Sequence, residues 1–141
     1  MTTDLKALPD IVEHLFSGRI RLAYLFGSFA SGRAGGHSDL DLAILPSHPV
    51  SDEDIWSWGQ TLAVELGRDV DLINLMSCST VLRYQVVTEG KLLLDIQGDA
   101  AGFETETYRM YQDLQLERQD NLKAFKQRWQ QDATPSGADN E

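Results

Sequence analysis

The sequence predicts an α/β fold in which helices cover one small sheet and a long helix closes the chain. Three observations carry this. Short apolar runs of strand length alternate with stretches of helical period. Gly, Pro and Ser stand at most of the breaks between them. At 141 residues the chain suits one domain, large enough to bury about two-thirds of its unfolded surface without staples.

The elements follow in order. Pro9–Phe16 reads as a short helix: Pro lies near its start, and Ile11, Leu15 and Phe16 share a face. Gly18 ends it. Ile20–Phe26 (IRLAYLF) is an apolar run too short for a buried helix, so it is a strand. Gly27–Ser31 opens a second helix, Arg33–Ser38 (RAGGHS) is a connection with two glycines, and Asp39–Leu45 is a second strand. Ser51 is an N-cap, followed by Asp52, Glu53 and Asp54 where the helix dipole favours negative charge. Ile55, Trp58/Gly59, Leu62 and Leu66 form that helix's buried stripe, and Gly67 is its C-cap. Val70–Leu75 is the third strand. Ser79 or Ser77 caps a helix running to about Glu89, Gly90 ends it, and Lys91–Ile96 is the fourth strand. After a loop over 97–102, a long helix runs from about Phe103 to Gln131. One domain over 1–131 and a disordered tail over 132–141 are therefore expected.

Composition narrows the function classes. With 22 acidic and 12 basic residues the net charge is −10. Such a chain is poorly suited to nonspecific attraction to nucleic acid and better suited to bound Mg²⁺ and a basic protein partner. Five of the basic residues (Arg109, Arg118, Lys123, Lys126, Arg128) fall in the last helix, where a solvated face accounts for them. No apolar run approaches the roughly 20 residues of a membrane span. The segment MTTDLKALPD has no basic region leading into an apolar core, so no secretory signal is expected. Cys78 is the single cysteine, which excludes an internal disulfide and fits a cytoplasmic protein.

The chemistry concentrates between Gly27 and Leu42 (GSFASGRAGGHSDLDL). Gly27 and Ser28 stand where a strand ends and a helix begins, a place that offers free backbone N–H groups to a phosphate. Gly27 allows close approach and Ser28 adds a hydroxyl donor. Asp39 and Asp41 are i and i+2 on a strand, so their carboxylates share a face about 6–7 Å apart at Cα. Two acids that close repel unless a cation joins them, and an all-oxygen set favours Mg²⁺. Leu40 and Leu42 point the other way, into the core. Asp71, on the third strand, completes the site if that strand neighbours the second. There it would bind the catalytic metal and help deprotonate an attacking hydroxyl. Other motifs fail: Arg33-Ala34 replaces the Lys-Ser/Thr of a P-loop, no G-x-S-x-G surrounds Ser28 or Ser31, and His14, His37 and His48 lack zinc spacing.

Gly27-Ser28, ten residues, then Asp39-x-Asp41 resembles the signature of the nucleotidyltransferase superfamily that includes DNA polymerase β. Asp71 matches that superfamily's third aspartate. Length and the closing helix (FETETYRMYQDL) are similar to the minimal nucleotidyltransferases, the MNT antitoxins paired with HEPN-domain toxins. The resemblance covers about residues 18 to 130. It implies a small mixed β-sheet flanked by helices, and a protein adenylyltransferase that moves AMP from ATP to a tyrosine hydroxyl of a HEPN ribonuclease toxin, silencing it. By that likeness Gly27 and Ser28 bind triphosphate, Asp39 and Asp41 hold Mg²⁺, and Asp71 is ligand and base. Where the family often has an arginine before the motif's second glycine, this chain has Ser31. By the same likeness Arg33, just after Gly32, is expected to stand in for that nucleotide contact.

Two other functions fit the same residues. One is nucleotide transfer to a small molecule or an RNA end. The other is an inactive antitoxin that masks its toxin by binding alone. No extra domain to hold a small acceptor is expected from these residues, which favours an acceptor brought by a protein. Along the last helix Tyr108, Tyr111, Leu114 or Gln115, Leu122, Phe125 and Trp129 make an interrupted stripe. Its start suits internal packing, and its far end suits a partner.

Overall fold

The computed structural model describes residues 5–32 and 39–133. A 3-10 turn, Leu5–Ala7, leads into α1 (Leu8–Leu15), β1 (Ile20–Phe26) and the single-turn α2 (Ser28–Ser31). Then come β2 (Leu40–Pro46), α3 (Asp52–Leu66), β3 (Val70–Asn74), α4 (Thr80–Glu89), β4 (Lys91–Asp95) and α5 (Ala100–Ala133). The strands form one sheet in the order β3-β2-β1-β4. β1 is antiparallel to both β2 and β4, whereas β2 and β3 run parallel. The parallel pair needs a crossover, and α3 supplies it.

Both faces of the sheet are covered, which explains why β2 reads as a nearly continuous apolar run. Leu40, Leu42 and Ile44 face a core shared with Leu8 and Val12 of α1 and Leu62 and Leu66 of α3. Ala43 and Leu45 face the other side, against Val86 and Val87 of α4 and Ala100 and Phe103 of α5. Fully burying one leucine contributes roughly 1.5–3 kcal/mol, so these two layers dominate stability. Tyr24 is buried in the second layer, and its hydroxyl donates to Glu104 at 2.8 Å, joining β1 to α5.

Local chemistry fixes most boundaries. Ser51 caps α3 by accepting from the Asp54 N–H at 3.1 Å, and Gly67 ends it at φ 65°. Ser79, not Ser77, caps α4 through the Leu82 N–H. The strand expected from Asp39 begins at Leu40, leaving Asp39 just ahead of β2. The last helix starts three residues earlier than Phe103, at Ala100. Its cap is Asp95, at the end of β4, whose carboxylate accepts from the N–H groups of Asp99 (2.7 Å) and Ala100 (3.2 Å). A cap from so far upstream leaves no local mark in the sequence.

The stripe on α5 divides as its length suggests. Tyr111 stacks on Tyr84 of α4 with ring centroids 3.7 Å apart. Beyond the reach of α4, Leu122, Phe125 and Trp129 are exposed. The helix continues to Ala133, two residues past the expected boundary, and the rest of the expected tail (134–141) lies outside the described residues. No helix among the described residues is long and apolar enough to cross a membrane.

Candidate active site

β1 ends at Phe26, and the chain turns at Gly27 into α2. Gly27 has φ 72° and ψ −149°, a conformation open essentially to glycine alone. A second constraint coincides with it. A Cβ built on Gly27 would overlap Oδ2 of Asp41 and stand 3.0 Å from its Cγ. The turn therefore presses bare backbone against the carboxylate. Register explains the meeting: Phe26 pairs with Asp41 across β1 and β2, so the next residue of the turn passes over that side chain.

The same register brings in the third acid. Asp41 pairs with Asp71 across the parallel β2–β3 ladder, so both side chains leave one face of the sheet on neighbouring strands. The Leu40 N–H donates to the Asp69 carbonyl at 2.9 Å, fastening the start of β2 to the turn before β3. Asp39 precedes this junction and is exposed. Burial pushes the Asp41 carboxyl above its usual range, and the carboxylates of Asp71 and then Asp39 push the same way. The three acids thus share one electrostatic site. They do not converge on a closed coordination shell, for among the described residues no three His, Cys, Asp or Glu side chains stand close enough to hold an ion. Arg33 lies outside the described residues.

A basic residue the sequence reading passed over stands beside the turn. The Arg68 guanidinium lies 4.8 Å from the centre of the Phe29 ring. Phe29 belongs to α2, and Arg68 follows the α3 C-cap and precedes β3, so the contact braces the glycine–serine turn against the strand bearing Asp71. Its only trace in the sequence is a cation directly after Gly67 and three residues before Asp71.

A mixed four-stranded sheet with helices on both faces, a glycine–serine turn and acids on adjacent strands at one end is the nucleotidyltransferase architecture. Residues 10–99 match the family described as Polymerase beta, Nucleotidyltransferase. The chain is 46% identical over 101 residues to protein adenylyltransferase MntA of Shewanella oneidensis, covering 72% of this chain and 73% of that protein. A crystal structure of a toxin–antitoxin with AMP-PNP contains a chain that superposes with TM-score 0.74 at 39% identity. The match covers 83% of this chain and 97% of that one. A structure of tri-AMPylated Shewanella oneidensis HEPN toxin in complex with MNT antitoxin matches with TM-score 0.69 at 36% identity, over 85% and 97% of the two chains. The chain belongs to the polymerase beta family of nucleotidyltransferases.

Proposed function

We propose that this protein is the antitoxin of a HEPN toxin pair, and that it transfers AMP from ATP to a tyrosine hydroxyl of the toxin, neutralising it. One observation carries the reading: Gly27 is pressed against Asp41 while Asp71 stands beside Asp41 on the next strand. The likeness to a protein adenylyltransferase and to antitoxin chains in toxin complexes supports the substrate and partner.

Gly27 and Ser28 hold the triphosphate by backbone N–H groups and a hydroxyl. Arg33 adds a contact to it. Asp39, Asp41 and Asp71 are the residues that would hold Mg²⁺. The all-oxygen donor set and the mutual repulsion at Asp41 fit such an ion. When bound, it neutralises charge on the phosphates. The toxin hydroxyl attacks the α-phosphorus in line. A P–O bond to the acceptor oxygen forms as the bond to the β-phosphate bridging oxygen breaks, and pyrophosphate leaves. The acceptor proton passes to the Asp71 carboxylate. The one domain over 1–131 carries the chemistry in the cytoplasm, and the exposed Leu122, Phe125 and Trp129 of α5 add surface for the toxin.

The test uses labelled ATP with the purified toxin. Wild-type protein labels the toxin when Mg²⁺ is present, and the Asp39→Asn/Asp41→Asn variant does not. Neutralisation that survives in the variant without label would replace this reading with binding alone.

A further inference from the structure

β3 is an edge strand, and among the described residues nothing pairs with its outer side. Its backbone orientation can be read from the ladder. The Asp69 carbonyl accepts from Leu40, and the Leu75 N–H donates to Ile44 at 2.8 Å. Odd-numbered residues therefore direct their backbone groups to β2, and alternation turns those of Val70 and Leu72 outward. Directly beside this edge, between β3 and α3, lies a hollow of about 240 Å³ whose lining includes Ile55, Trp56, Gly59, Gln60, Val70 and Leu72. Gly59 of α3 sits over Leu72, a Cβ on it standing 3.6 Å from the Leu72 Cβ, in ordinary contact. Trp56 at the rim is 69% exposed.

The size selects the occupant. At about 240 Å³ the hollow falls below the roughly 300–1,000 Å³ of small-molecule sites and matches one side chain of a peptide. Charge selects further: Asp52 lines the hollow, exposed Glu53 and Asp54 follow it, and the whole chain carries −10. We propose that an extended basic segment of the acceptor protein adds to the sheet along the β3 edge and seats one apolar or aromatic side chain in the Trp56 hollow. This deepens the proposed transferase reading and rests on it. Side chains of an added strand alternate between faces. A residue next to the anchored one thus projects to the opposite face, where Asp41 and Asp71 lie. Pocket and carboxylates together place the acceptor hydroxyl.

Two measurements on the full chain with the toxin decide it. Trp56→Ala raises the KM for the toxin roughly tenfold or more, as loss of an exposed aromatic anchor does, with the KM for ATP unchanged. In the complex the Val70 and Leu72 amides gain protection from hydrogen exchange. The Asp71 and Ile73 amides, already turned to β2, change little. Failure of either the KM shift or the Val70 and Leu72 protection overturns the proposal. If wild-type protein binds toxin without transferring AMP, the transferase reading fails. The exchange measurement, which needs binding alone, still decides the docking.

Discussion

Gly27 and Asp41 occupy one volume: the glycine has room only because it lacks the Cβ that would overlap the aspartate carboxylate. The glycine–serine turn and the strand that carries the acids are thereby held at fixed separation. Conformation adds to sterics, since φ 72° with ψ −149° excludes other residues.

Gly27→Ala therefore costs about 1–3 kcal/mol of stability and moves the turn away from Asp41. Displacement of about 1 Å in a transfer site lowers the rate on the order of 100-fold. Steady-state kcat/KM for AMP transfer together with urea denaturation checks both.

Asp41→Asn separates activity from stability. The charged form of Asp41 is opposed first by burial and then by Asp71 and Asp39, so removing its charge leaves the metal-free fold equally or more stable. Transfer falls on the order of 10²–10³-fold or more. Thermal denaturation in EDTA, run beside the transfer assay, measures both. A strongly destabilised variant would contradict the electrostatic account.

The Arg21 guanidinium donates to Asp99 at 2.9 Å and this hydrogen bond holds the Asp99 carboxyl below its usual range. A depressed folded pKa gives stability that is present above the unfolded value and lost as pH falls through the folded one. Asp99→Asn is thus less stable than wild type at neutral pH. The gap closes as pH falls below the ordinary carboxylate pKa of about 3.9. Urea midpoints at neutral pH and near pH 3 test this, and a gap that persists in acid would contradict it.

Leu62 and Phe125 make a packing contrast. Leu62 is fully buried between α3 and the sheet, whereas Phe125 is 56% exposed on α5. Leu62→Ala costs about 2–5 kcal/mol, and Phe125→Ala stays within about 0.5 kcal/mol. Chemical denaturation of the isolated protein distinguishes them.

Much of this was legible in the sequence where the physics is local. Ser51 marks its helix end through its side chain, Gly67 through positive φ and Gly90 through a close approach to the Val86 and Leu25 carbonyls that a Cβ would block, and the alternation of Leu40 and Leu42 with Asp41 orients β2 directly. Where a partner is distant in sequence, the local pattern carries no signal. Asp95 caps α5 from the far side of a turn, so local pattern alone points to a start at Phe103. The pairing of Asp71 with Asp41 depends on strand order, which no spacing encodes. Arg68 on Phe29 and the hollow beside Trp56 arise only when α3 crosses from β2 to β3.

Covalent modification of the toxin leaves an added mass that steric masking does not. Intact-mass measurement of the cognate HEPN toxin, incubated with this protein and Mg²⁺-ATP, tests it most directly. Transfer yields a toxin heavier by one or more AMP groups, with the addition absent in the Asp39→Asn/Asp41→Asn control. A toxin of unchanged mass that is nonetheless neutralised would contradict it.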